Sequence, residues 1–284
     1  MMKKIIIILL LLLLSGCGII SIGYNYAEAY LRYSINSYMS YNDQQKEIVK
    51  SEVHVFMTWH RKFMLPEYAD FLQRIQAAVQ AEAPLKVEDV RRFRTEARSL
   101  YIKTMLPAVS PAAILLASLN AEQVDELSLS FGKEIKKIRS KELNGSLEQQ
   151  LLARTERSID FIENLTGGLT DKQLQQLREL NNKLPFATPL YLAQREDNQN
   201  KLIELLKLKP DDPATAIATA LNSWIVTPEL NRSPEDQSVI QAFESGSDEM
   251  IVTLYQTLTE RQKKTLLKSI AKYINTFQEL ATAN

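Results

Sequence analysis

Residues 43–64 read DQQKEIVKSEVHVFMTWHRKFM. Within this run Ile48, Val49, Val53, Phe56, Trp59, Phe63 and Met64 recur at steps of three and four, the spacing that gathers side chains on one face of an α-helix. Asn42 stands just before the run and Gln45 three positions later, which reads as a helix start. Pro66 follows. Proline lacks an amide proton and its ring clashes with the preceding turn, so a break or kink is expected there. The pattern resumes through Tyr68, Phe71, Leu72 and Ile75. The same periodicity covers most of the chain, strand-like alternation is absent, and only 8 glycines occur in 284 residues. The fold class expected is all-α: a multi-helix bundle, elongated or curved.

Working outward, a short helix over about 24–39 precedes this segment. Pro84 separates it from a helix over about 87–106, and Pro107 and Pro111 bracket a short connection. Further helices are expected over about 121–141, 147–165, 171–184, 191–208, 213–224, 236–258 and 260–280. Asp212 is a plausible cap with Pro213 at the first helical position. Residues 227–235 read as the longest exposed loop. The body, 17–284, reads as a single domain, with one sub-boundary to consider near 185–189.

The N-terminus has a different character. Met1-Met2-Lys3-Lys4 precedes an unbroken apolar run, Ile5 to Leu14, and then Ser15-Gly16-Cys17. This is the layout of a secretory signal, and the run is too short to span a bilayer, which needs about 20 residues. Leu14-Ser15-Gly16-Cys17 resembles the bacterial lipobox. That resemblance implies removal of residues 1–16 and acylation of Cys17, with palmitate among the chains added. Gly18 stands where an aspartate commonly retains such proteins at the inner membrane. The implied address is therefore the periplasmic face of the outer membrane. Cys17 is the only cysteine, so no disulfide supports the fold and no thiol is left for catalysis. Loss of Lys3 and Lys4 with the signal leaves 32 basic residues against 34 acidic ones, a formal charge of −2. Such a balance argues against a nucleic-acid partner, which wants a basic face.

One local pattern recurs: an apolar residue, then Thr or Asn, two free positions, then Gln. It occurs at Tyr41-Asn42…Gln45, Leu119-Asn120…Gln123, Leu169-Thr170…Gln173 and Leu258-Thr259…Gln262. Its physics is that of a capping box. The Thr or Asn side chain accepts from the amide three residues on, and the Gln side chain reaches back to the cap's own amide. A staple between the preceding apolar residue and the one after Gln is open to Leu119–Val124 and Leu169–Leu174. It is absent where that position is Lys46 or Lys263. On this reading loss of Thr170 costs more than loss of Gln173. Spacings of 78, 50 and 89 exclude a strict tandem repeat.

The Leu-Thr-x-x-Gln copies resemble the signature of small periplasmic envelope-stress chaperones, which are helical and ATP-independent. Those proteins are shorter and lack a lipobox. A second resemblance covers more of the chain. The lipobox, the following Tyr-Asn, the acidic-Gln start at Asp43, Trp59-His60-Arg61 and Leu65-Pro66-Glu67-Tyr68 resemble a family of proteobacterial lipoproteins of unknown function. It implies an address and a fold, but no mechanism.

Residues able to carry chemistry are few. His54 and His60 stand six positions apart, about 600° of helical turn, so they point to different faces and do not form a two-histidine metal pair. His60 is expected at the core boundary, paired with backbone or a carboxylate, and His54 in solvent. No nucleophile elbow, phosphate loop or dinucleotide fingerprint occurs, so no catalytic residue, metal or cofactor beyond the lipid is assigned. Acidic residues such as Glu134, beside Lys137, read as solvated faces. Six of the 11 tyrosines lie between Tyr24 and Tyr41. Of these, Tyr26, Tyr30 and Tyr33 share a helical face. Such rings suit a membrane interface, but packing into the domain is the preferred reading.

The expected function is a lipid-anchored periplasmic binding or chaperone-like protein, non-catalytic. It would be joined to the membrane by its anchor and would take unfolded or envelope proteins as partners. The alternative is a structural or assembly lipoprotein that docks one dedicated envelope partner. An envelope hydrolase using two carboxylates comes third.

Overall fold

A computed structural model describes residues 17–283, with side chains from residue 21 onward. Residues 1–16, expected to be a signal peptide, lie outside the described residues, as does the Cys17 side chain expected to carry lipid. The described chain is an all-α bundle without strands. Its helices are α1 (Cys17–Asn25), α2 (Ala27–Asn36), α3 (Asp43–Trp59), α4 (Leu65–Gln80), α5 (Val87–Met105), α6 (Val109–Ala117) and α7 (Ala121–Glu142). Then follow α8 (Leu147–Thr166), α9 (Asp171–Lys183), α10 (Thr188–Leu208), α11 (Pro213–Val226), α12 (Pro234–Thr257) and α13 (Glu260–Thr282).

Pro66 neither breaks nor sharply interrupts the helix. A single π-helical stretch, His60–Met64, joins α3 to α4, and the Leu65 amide donates to the His60 carbonyl five residues back. The widened turn lies directly before the proline, where an ordinary turn would put its ring against a carbonyl. The expected connection at Pro107 and Pro111 is instead a 3-10 turn, Leu106–Ala108, followed by α6. Pro111 falls in the first turn of α6, where a missing amide proton costs nothing. Residues 227–235 also hold more structure than expected: a 3-10 turn, Pro228–Asn231, and a Ser233 cap on α12. Val87–Ala117 contains a window apolar enough to cross a membrane by length and composition. Its inward residues Val90, Val109 and Ala113 are buried in the bundle's own core clusters or beside them.

The two ends of the chain build the main core together. α13 lies along α4 in the most extensive helix pairing of the fold. Leu65 and Ala69 of α4 meet Ile270, Ile274, Phe277 and Leu280 of α13, and Val49, Val53 and Met57 of α3 join them. Tyr24 and Ala27 close the cluster from the N-terminal side. A second core gathers Ala113, Leu119, Val124 and Leu127 against Leu202, Ile203, Leu206 and Ile217. Smaller cores form under α12, around Val90 and Val252 and around Ile159, Leu177 and Leu254.

Buried charge links these layers. Asp248 of α12, almost fully buried, receives two bonds from Arg94 of α5, both at 3.0 Å, and Glu244 receives a third at 2.8 Å. Arg154 of α8 donates to the carbonyls of Pro185, Asn181 and Leu184, and its guanidinium faces the rings of Phe186 and Phe243. The 184–187 connection is thereby tied to α8. A β-carbon at Gly246 would come within 2.6 Å of the Leu184 side chain, so the missing side chain lets that leucine close on α12.

Candidate functional site

All four recurring helix starts form capping boxes. Each cap side chain, Asn42, Asn120, Thr170 and Thr259, accepts from the amide of its glutamine, and each glutamine accepts from the cap amide. The four glutamines do not stop there. Gln45 and Gln123 meet amide to amide: Gln45 Nε2 donates to Gln123 Oε1 at 3.2 Å and Gln123 Nε2 to Gln45 Oε1 at 2.6 Å. Gln173 and Gln262 form the same reciprocal pair, at 3.0 and 2.8 Å.

Each glutamine also donates to a carbonyl two residues before its partner's cap. Gln45 takes Ser118 O, Gln123 takes Ser40 O, Gln173 takes Thr257 O and Gln262 takes Gly168 O. Two helix starts therefore clasp one another about a local two-fold axis, and the chain builds this arrangement twice. All four glutamines are buried, and every donor and acceptor of their amides has a partner, as burial demands. This geometry argues against the ranking expected within the box. Gln173, 3% exposed, bonds outside its own helix start, whereas Thr170 caps only its own. Loss of the glutamine is therefore expected to be the costlier change.

A fifth box, unnoticed in the sequence, caps α8: Ser146 accepts from the Gln149 amide and Gln149 from the Ser146 amide. Gln149 is exposed and meets no other glutamine. The residue before this cap is Gly145, whereas Tyr41, Leu119, Leu169 or Leu258 precedes each of the others. Leu119 and Leu258 are buried, and Leu169 and Tyr41 pack against core clusters. An apolar residue before the cap draws the helix start inward, where its glutamine must find partners. That residue was the legible signal for pairing. Leu119 and Val124 share one core and Leu169 and Leu174 pack on another, as a staple requires.

The histidines separate as expected, but their partners differ. His54 is exposed, with Nδ1 3.3 Å from a Glu28 oxygen. His60 is buried, and neither backbone nor carboxylate holds it. The Tyr24 hydroxyl lies 2.9 Å from Nδ1 and the Tyr68 hydroxyl 3.4 Å from Nε2, while Tyr68 also bonds the Thr104 hydroxyl. The core here offers rings with polar tips, which satisfy both nitrogens of a neutral imidazole. Burial holds His60 down at about 4 and pushes Tyr68 up to about 12. Glu134 is not on a solvated face: its side chain is nearly buried, 2.8 Å from Arg195 and 3.1 Å from the Tyr38 hydroxyl. It faces α10 across the bundle and not Lys137 along its own helix. Among the described residues no group of three or more His, Cys, Asp or Glu converges.

The tyrosine-rich segment divides. Tyr24 is buried and Tyr38 and Tyr41 are half-buried, but Tyr26, Tyr30 and Tyr33 are 69%, 42% and 72% exposed. Ile22, 58% exposed, extends the row. Packing is therefore the wrong reading for this stripe. The face of α2 that turns toward α3 carries Ala27, Leu31 and Ile35, with Glu28 beside His54, and among the described residues no second helix packs extensively on the opposite face. Backbone bonds from Tyr26 to Ile22 and from Tyr30 to Tyr26 carry the helical path across the junction of α1 and α2. The four side chains then fall within an arc of about 80°.

No curated protein and no solved structure matches the chain. A family match is found over residues 37–226. It contains the Gln45–Gln123 pair and ends before Gln262. It leaves out Tyr24, Ala27 and all of α13, so the main core draws on residues at both ends beyond it. Since the match spans well over half of the sequence, the chain belongs to the family described as "Family of unknown function (DUF6279)".

Proposed function

We propose that this protein is a lipid-anchored, non-catalytic module of the bacterial envelope, held through Cys17 at the periplasmic face of the outer membrane, that acts by binding other proteins in a chaperone-like manner. The observation that carries the binding part is the set of exposed apolar side chains on a scaffold latched by buried glutamine pairs. Leu129, Leu152, Leu208, Leu230 and Ile251 stand singly in solvent on different elements, several among charged neighbours. Taken one at a time, such side chains are ordinary on a protein surface; the reading takes them together, as weak contacts for unfolded segments. The buried glutamine pairs shape the likeness to Leu-Thr-x-x-Gln chaperones: these residues build the scaffold, and client contact falls to other side chains. Two buried groups able to carry chemistry are committed to structural bonds, His60 to Tyr24 and Tyr68, Asp248 to Arg94. The lipobox and Gly18 support the address.

The second reading, a lipoprotein docking one dedicated partner, is favoured by the concentration of exposed aromatic residues at Tyr26, Tyr30 and Tyr33. Two measurements test the proposal. Palmitate labelling of the chain should be lost in Cys17→Ser, and labelling that persists there removes the anchor. The purified protein should slow light scattering by an unfolding client at near-stoichiometric amounts without nucleotide. A curve matching that of an inert protein at equal mass removes the chaperone-like reading in favour of the dedicated partner.

A further inference from the structure

We propose that Ile22, Tyr26, Tyr30 and Tyr33 form a membrane-resting face, on which α1 and α2 lie along the lipid headgroups beside the anchor. The inference rests on acylation of Cys17 and goes beyond it. Acylation fixes one point of the chain at the bilayer, and the stripe fixes the orientation of the body.

Position supports a lipid occupant first. The described part of α1 reaches back to Cys17, so Ile22 lies about 8 Å along the axis from the attachment point, and Tyr33 about 17 Å farther. A face that starts within one side-chain length of an acyl anchor and runs away from it as a helix meets the lipid surface before any soluble partner. Chemistry supports it next. The exposed row is one isoleucine and three tyrosines, without a charged residue in its arc. Rings with a hydroxyl at the tip settle at the headgroup boundary, apolar body inward and oxygen in water. Amphipathic helices of this kind rest in the interface plane. The charges of α2 lie off the stripe, where Arg32 and Glu28 stand 3.9 Å apart and Glu28 also meets His54. A lipid contact along the row therefore buries none of them.

The test uses the full acylated protein in phosphatidylethanolamine–phosphatidylglycerol vesicles. With Cys17 acylated, a cysteine introduced elsewhere is the only free thiol. Nitroxides are placed by Tyr26→Cys and Tyr33→Cys, with Leu208→Cys and Leu230→Cys as exposed controls remote in sequence. Collision rates with oxygen and with a water-soluble nickel chelate are then compared. At 26 and 33 oxygen collisions should exceed nickel collisions several-fold, with the reverse at 208 and 230. Labels at 26 and 33 as water-accessible as the controls overturn the proposal while leaving the anchor intact. Dipolar broadening between molecules overturns it too, since a second copy would then cover the face. Vesicle flotation and mass spectrometry of the N-terminal peptide report acylation separately, and its absence overturns both the anchor and the face.

Discussion

The helix starts at Thr170 and at Ser146 use the same local chemistry and lead to different structures. Both are capping boxes with a hydroxyl cap and a glutamine three residues on. At Ser146 the box ends in solvent and serves only α8. At Thr170 it faces its counterpart at Thr259, and the two glutamines exchange hydrogen bonds while each also takes a carbonyl from the other's approach strand of chain. The residue before the cap differs in character, Gly145 against the partly buried Leu169. A cap is a local device worth about 1 kcal/mol. Turned inward and paired, it becomes a tertiary latch.

Four substitutions test that contrast, and the first should have the largest effect. Gln173→Ala removes the partner of Gln262 and leaves the Thr257 carbonyl and the Thr170 amide short of a bond inside the protein. Buried groups left unpaired cost about 1–3 kcal/mol each, so a loss of about 3 to 4 kcal/mol is expected in urea denaturation. A midpoint shift no greater than that of Thr170→Ala would break the contrast.

Acid separates the glutamine latches from the other buried polar cluster. The latches carry no titratable group, whereas His60 does. Its folded value, about 4, lies below the ordinary 6.5. Between these values the unfolded chain binds a proton that the folded chain does not, so stability rises with pH across the window. It is complete above about pH 6.5 and falls as pH drops toward 4, by about 3 kcal/mol at most. His60→Gln should lower stability at pH 7 and flatten that slope. A slope unchanged by the substitution would assign the acid sensitivity elsewhere.

Thr170→Ala should cost about 1 kcal/mol, the loss of one cap bond. Gln149→Ala should be the mildest of the four, at about 0.5 kcal/mol or less, because water replaces what the exposed glutamine gave up. Thermal melts of the two side by side give the order directly.

Most of the fold was legible because helices announce themselves locally. The run from Ile48 to Met64 fixed a helical face, and the Asn, Thr and Gln of each box marked a helix start with its mechanism. What escaped depends on packing between distant segments. Nothing in the spacing of 78 or 89 residues says that Gln45 meets Gln123 or that Gln173 meets Gln262, although the apolar residue before each cap hinted that these starts turn inward. Pro66 reads in isolation as a break or kink, but the π-turn before it gives the ring room and the faces on both sides reach one core. Glu134 looked solvated because Lys137 was near in sequence, while Arg195 was near in space. Tyr26, Tyr30 and Tyr33 looked like core because aromatic stripes usually are. Ala27, Leu31 and Ile35 had already taken the inward side of the same helix.

The latch is tested most directly by a double-mutant cycle on Gln173→Ala and Gln262→Ala, read by chemical denaturation. If the two amides satisfy one another, each single change leaves a buried partner unpaired and the double change removes both. The double variant should then lose less than the sum of the singles, by about 1 kcal/mol or more. Costs that simply add would mean that each glutamine serves its own helix start alone, and the paired latch would be wrong.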